Sequence, residues 1–254
     1  MLGFPAEALL GGCGMPVPER VHERSRSAAR ALARAGGTVS RDAQEEGVKQ
    51  VYGEIASAYE ALFPVLHRYE ERVERFLAAV VVPGARVLDV GCGPGLHTRG
   101  LDASIAVVGT DLSEDMLALA RTARPGGAWH VHSYHQPIPP DWGRFTVALA
   151  IGCLDFCDDL PRVLKHLAEA LEPGGKLLFT VLERRPGLDG HEAPVQPIQT
   201  AGPAVTLHLY SFEETARAVT EAGLLPRTYA HAPGWVQLTE QRTMWFGWWE
   251  VERR

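Results

Sequence analysis

The stretch VLDVGCGPG, residues 87–95, constrains the fold more than any other part of this chain. A short apolar run carrying one acid passes directly into three glycines at alternate positions, Gly91, Gly93 and Gly95. Glycine adopts backbone conformations that other residues resist and puts no side chain between the backbone and a ligand. A strand ending in such a turn belongs to an open, doubly wound α/β sheet, whose ligands sit beyond the carboxyl ends of the strands. The rest of the chain then has to alternate strand with helix.

It does so. Apolar residues at helical spacing over 51–80 predict two helices broken near Pro64. Strands are predicted at 86–90, 105–111, 128–133, 145–151 and 176–182. Helices are predicted between them at 95–103, at 113–123 with Ser113 as N-cap, and at 158–171. In the last of these Leu160, Val163, Leu164, Leu167 and Leu171 share one face. A proline-bearing loop at 187–206, a helix at 211–223 and closing strands near 225–231 and 240–252 complete the pattern. Such alternation predicts a parallel sheet covered on both faces by helices. In MWFGWWEV, residues 244–251, Trp245, Gly247 and Trp249 alternate with Phe246 and Trp248, as in a strand covered on both sides.

Composition removes several classes of partner. A net charge of −6 gives no basic surface for nucleic acid or an anionic membrane. The apolar run FLAAVVV at 76–82 is too short to span a bilayer, so a soluble chain is expected. Cys13, Cys92, Cys153 and Cys157 read as free thiols of a reducing, cytoplasmic compartment. Cys153 and Cys157 have no second cysteine pair to complete a metal site, so no metal is expected. His130, His132 and His135 cluster on or just past the third strand and read as partly exposed strand-end residues. Within 1–46 six arginines face six acids, which argues against a targeting peptide and leaves a disordered tail as the expectation.

Two ligands compete for the glycine turn. A dinucleotide site needs G-x-G-x-x-G, but the position of its third glycine is Leu96. Asp89 at the mouth would also repel a pyrophosphate, whereas it favours a cationic ligand. S-adenosylmethionine carries an ammonium and a sulfonium and no phosphate. Asp111, 20 positions after Gly91, ends the second strand where a carboxylate can accept both ribose hydroxyls.

Four ordered stretches over 48–254 resemble the class I S-adenosylmethionine-dependent methyltransferases, in particular small-molecule enzymes of the quinone-biosynthesis-like type. They are VLDVGCGPG, VVGTDLSEDML, LAEALEPGGKLLFTV and the N-terminal VYGEIASAYE. The resemblance implies a Rossmann-like, seven-stranded, mostly parallel sheet with its last strand antiparallel. It implies a helical lid at 47–82, a methyltransferase domain at 83–254, and a substrate loop at 187–206. It assigns Asp89, Gly91, Cys92 and Gly93 to the methionine end, Asp111 to the ribose, and Leu112 and Met116 to the adenine. Ile151 and its neighbours would line the methionine side, and Tyr52 and Tyr59 would close the lid.

The chain departs from the family in three places. HSYHQPIP lacks the acid that often follows the third strand, leaving Ser133, Tyr134 or His135 as stand-ins at the adenine. Thr146 replaces an acid in the fourth strand, and Asp155 stands where the family often has His. His135 and Asp155 are the candidate general bases, both near the carboxyl ends of strands. The resulting expectation is methyl transfer from S-adenosylmethionine to a small-molecule acceptor by in-line displacement. The alternatives are a degenerate cofactor-binding domain and an NAD(P)-dependent oxidoreductase.

Overall fold

A computed structural model describes residues 40–66, 70–184, 192–195, 205–237 and 242–254. Residues 1–39, with Cys13, and most of the expected substrate loop lie outside them. The first described helix, α1 (Arg41–Leu66), starts five residues before the expected boundary at 46. Ser40 explains the start: its Oγ accepts the Ala43 N–H at 3.3 Å and satisfies a donor of the first turn. Pro64 falls within the last described turn of α1, and the next described helix is α2 (Glu70–Val80); residues 67–69 between them lie outside the described residues.

Nine described strands form one sheet. They are β1 (Arg86–Val90), β2 (Ala106–Asp111), β3 (Ala128–Val131), β4 (Phe145–Ala150), β5 (Leu171–Glu183), β6 (Glu192–Val195), β7 (Val205–Tyr210), β8 (Leu224–Gln237) and β9 (Arg242–Arg253). Seven of them run β3-β2-β1-β4-β5-β9-β8, and β7 with β6 branches from β5. The first five of the seven are mutually parallel, while β9 lies antiparallel to both β5 and β8. This is the expected seven-stranded arrangement with an antiparallel last strand.

Two expectations are corrected. The first concerns 187–206, which is not wholly a loop: β6 pairs antiparallel with β7, Glu192 opposite His208 through Val195 opposite Val205. This hairpin joins the carboxyl end of β5 through Leu182–Leu209 and Glu183–Tyr210. Pro194 hid the strand from a reading of pattern, but proline is tolerated on an edge strand such as β6. The second concerns 95–103, which forms overlapping turns rather than a helix. Arg124 supplies the physical reason. Its buried guanidinium donates to the carbonyls of Thr98, Leu101, Asp102 and Ile105, a fan of acceptors that holds the chain as turns leading into β2.

The remaining helices fall where expected: α3 (Glu114–Ala123), α4 (Leu160–Ala170) and α5 (Phe212–Glu221). Ser113 caps α3 through the Met116 N–H, and a reciprocal Ser211–Glu214 pair caps α5. Alternation within the buried strands splits the core into two layers. Val87, Val147 and Trp248 meet Val73 and Phe76 of α2 on one face. Leu88, Ala148 and Trp249 meet Leu160, Val163 and Leu167 of α4 on the other. Covered on both faces, the sheet leaves its strand ends free to carry a site.

Candidate functional site

The site is built where β1 runs into the glycine turn. Gly91, Gly93 and Gly95 all have positive φ, at 61°, 52° and 74°. The glycines at 91 and 93 serve different purposes. A Cβ on Gly91 would lie 2.2 Å from the Cβ of Cys153, so close approach of the β4 end demands a glycine there. A Cβ on Gly93 would meet nothing within 4 Å, so this glycine leaves backbone open. The Cys92 N–H meanwhile donates to the Thr110 carbonyl and ties the turn to β2.

Asp111, at the end of β2, fixes the turn. Its Oδ2 accepts the Gly93 N–H at 2.9 Å and its Oδ1 accepts the Ser113 N–H at 2.9 Å. Each carboxylate oxygen retains a second acceptor direction, so Asp111 is oriented without being saturated. Burial raises its carboxyl, while the N–H groups of Ser113, Gly93 and Leu112 pull the other way.

Above these strand ends lies a cleft of about 680 Å³, its open mouth included. Of the residues singled out from the sequence, Gly91, Gly93, Asp111, Leu112, Tyr134 and Ile151 line its floor and sides. Gly152, also expected, stands with them. Tyr52 and Tyr59 line it from α1 with ring centroids 6.0 Å apart. Phe156 meets the Tyr52 ring edge-on at 6.0 Å. Burial pushes both tyrosine hydroxyls above their ordinary range, so they enter any chemistry here as neutral phenols.

Other expected residues lie behind the cleft wall. Asp89 is buried beneath the turn, where Thr98 Oγ1 donates to it at 3.5 Å. Burial holds its carboxyl at about 7. Cys92 and Met116 are buried and are not among the lining residues. Asp155, in a short 3-10 turn after β4, has one oxygen on the Trp235 indole N–H at 3.0 Å. Its other oxygen is buried without a partner, and burial raises the carboxyl to about 8. His135 is also drawn away, with Nε2 3.5 Å from Asp158; burial lowers it to about 4.

The structure brings in residues that sequence reasoning passed over. Cys153 and Phe156 follow Gly152 into the cleft, and His132 lines it from the end of β3. His130 does not join His132 at the cleft; it stacks on Trp142 at 4.2 Å. Gln44, Glu45 and Val48 enter from the first turns of α1, which the expected boundary at 46 had cut in two. The signal was present in the helical spacing, since 45, 48, 52 and 59 recur on one face. Gln44 also anchors this end of α1, pairing its amide with both the N–H and the carbonyl of Thr206. Cys92, Cys153 and Cys157 are free thiols.

A doubly wound sheet ordered 3-2-1-4-5 with an antiparallel strand beyond it, and an acid-held glycine turn opening on a lidded cleft, define a Rossmann-like methyltransferase fold. A family model described as a methyltransferase domain matches residues 58–229, and the chain belongs to that family. It is 32% identical over 109 residues to a ubiquinone biosynthesis O-methyltransferase of Coxiella burnetii, covering 41% of this chain and 47% of that one. It is 33% identical over 134 residues to a malonyl-[acyl-carrier protein] O-methyltransferase of Enterobacter lignolyticus, covering 50% and 53%. The chain thus spans about half the length of these curated relatives. The fold is shared with the 1,6-didemethyltoxoflavin-N1-methyltransferase of Burkholderia thailandensis, solved with its substrate and S-adenosylhomocysteine. That match has a TM-score of 0.62 and 16% identity, covering 86% of this chain and 92% of that one.

Proposed function

We propose that this chain transfers the methyl group of S-adenosylmethionine to a small-molecule acceptor. The carrying observation is the acid-lined cleft: Asp111 oriented by Gly93 and Ser113, with Glu45 opposite on α1. Such a charge pattern suits a nucleoside carrying an ammonium and a sulfonium and opposes one carrying a pyrophosphate. Asp111 would hold the ribose hydroxyls, and the bare backbone of Gly91 and Gly93 would admit the methionine end. Leu112 and Tyr134 would pack against the adenine and Ile151 would line the methionine side, with Cys92 and Met116 supporting these contacts from behind. When bound, the cofactor supplies a methyl group already activated by its sulfonium.

The chain's own contribution is then mainly alignment and exclusion of water, and holding reactants in line is worth roughly 7–11 kcal/mol of barrier. Tyr52, Tyr59 and Phe156 would close over the cofactor and present an uncharged surface to the acceptor. Where the acceptor arrives protonated, Asp155 is the better placed of the two candidate bases. Its neighbours Cys153 and Phe156 line the cleft, whereas His135 is engaged with Asp158. We take the acceptor to be a small molecule, in keeping with the ubiquinone-biosynthesis and didemethyltoxoflavin methyltransferases that this chain resembles, and the compartment to be the cytoplasm, in keeping with the free thiols. No described helix is long and apolar enough to cross a membrane. The test is protein-dependent formation of S-adenosylhomocysteine with a panel of phenols, carboxylic acids and nitrogen heterocycles. Turnover of any one supports the reading, and a cleft that binds S-adenosylhomocysteine but turns over none would return the chain to the degenerate-domain alternative.

A further inference from the structure

The cleft contains a second lining carboxylate that the assignment above leaves unused. Glu45 projects from the second turn of α1 into the cleft, and its Oε1 accepts the Ser133 hydroxyl at 2.6 Å. Ser133 is the second residue past the end of β3 and is itself buried. The bond therefore fixes a side chain from the lid above the carboxyl end of one particular strand. The other Glu45 oxygen makes no hydrogen bond or ion pair with any described residue.

Sheet order says what that oxygen faces. Across the cleft the strand ends run β3, β2, β1, β4, presenting His132 with the Ser133-held Glu45 above it, then Asp111, then Gly91 and Gly93, then Cys153 and Phe156. A nucleoside whose ribose is held at Asp111 and whose other arm crosses β1 must extend its base the opposite way, over β3. Adenine presents an exocyclic amine with two hydrogens, and an ionised carboxylate is an acceptor-only partner for it. Residues 132–139, which follow β3, contain no acid of their own.

We infer that Glu45 is the residue that selects adenine, its free carboxylate oxygen accepting the exocyclic amine while Ser133 holds the side chain in place. This rests on the proposed binding of S-adenosylmethionine, and it makes α1 a reader of the cofactor as well as its cover. Ser133 is the positioning residue in this pair.

The test compares S-adenosylhomocysteine with S-inosylhomocysteine, which replaces the amine by a carbonyl, in calorimetric titrations of the full chain. The wild type should favour the adenine ligand by about ten- to a hundredfold, as for loss of a hydrogen bond to a charged group. Glu45→Gln can donate to the carbonyl or accept from the amine, so it should bring the two affinities within about threefold. Ser133→Ala should fall between. A lid contact with no role in reading the base would weaken both ligands equally in Glu45→Gln and Glu45→Ala; an unchanged ratio would overturn the inference, as would a wild type that binds both ligands alike. Failure of the wild type to bind either ligand would instead sink the cofactor reading, and this inference with it.

Discussion

Gly91 and Cys153 come from different strands, β1 and the turn after β4, yet they meet so closely that neither position is independent. A Cβ added to Gly91 would sit 2.2 Å from the Cys153 Cβ and 2.9 Å from its sulfur. Cys153 in turn donates its thiol to the Val90 carbonyl at 3.2 Å. The glycine is thus set by internal packing as well as by its φ of 61°. Gly91→Ala should cost about 2–4 kcal/mol from overpacking and left-handed backbone together, read as a lowered urea midpoint. Adding Cys153→Gly should recover the overpacking part alone. Wild-type stability in Gly91→Ala would show that the two strand ends are not this close.

Arg124 should be as critical as any apolar core residue. Its removal takes the side-chain donor from the carbonyls of Leu101 and Ile105 and leaves those of Thr98 and Asp102 with a backbone N–H alone. Arg124→Met is expected to lose about 3 kcal/mol or more, with faster amide exchange concentrated in 95–105. Arg124→Lys should rescue little, since an ammonium cannot span these acceptors as a guanidinium does. Full rescue by lysine would mean that charge, not the planar fork, holds the turns.

Asp89 should make the unliganded protein less stable as pH rises. Its carboxyl is raised from 3.8 to about 7 by burial, so folding favours the neutral form. The stabilisation is complete below about pH 4 and is lost as pH climbs through 7. Asp89→Asn should therefore gain in melting temperature relative to wild type between pH 5 and pH 8. Asp155, raised to about 8, should act in the same direction over a slightly higher window. A constant offset between Asp89→Asn and wild type across this range would contradict the assignment.

Gln44 should govern how firmly α1 closes the cleft. Its amide completes both backbone groups of Thr206 on β7, at 2.6 and 3.0 Å. Gln44→Ala should speed amide exchange in the first turns of α1 while leaving the sheet protected, at a cost of about 1–2 kcal/mol. Equal exchange in wild type and variant would show that α1 is held elsewhere.

The sheet and the glycine-turn side of the cleft were legible because they rest on local signals. Gly91, Gly93, Asp111 and Leu112 sit beside the strand ends that place them, and Ser113 caps the helix it immediately precedes. What escaped reading depends on partners far away in sequence. Arg124 holds carbonyls 19 to 26 residues upstream, in a stretch that forms turns where a helix was expected. Glu45 meets Ser133 across 88 residues, and no local pattern announces such a pair. The start of α1 was missed for another reason: its first turns are polar where they face solvent, so the apolar period begins late. His135 stands close to a strand end in sequence, but its contact with Asp158 turns it from the cleft.

The most direct measurement is calorimetric titration of S-adenosylhomocysteine into the wild type and into Asp111→Ala. A cleft organised by Asp111 should bind one equivalent in the wild type, and the variant should bind at least about a hundredfold more weakly through loss of its charged ribose acceptors. No binding by the wild type, or equal binding by both, would contradict the assignment of this cleft to S-adenosylmethionine.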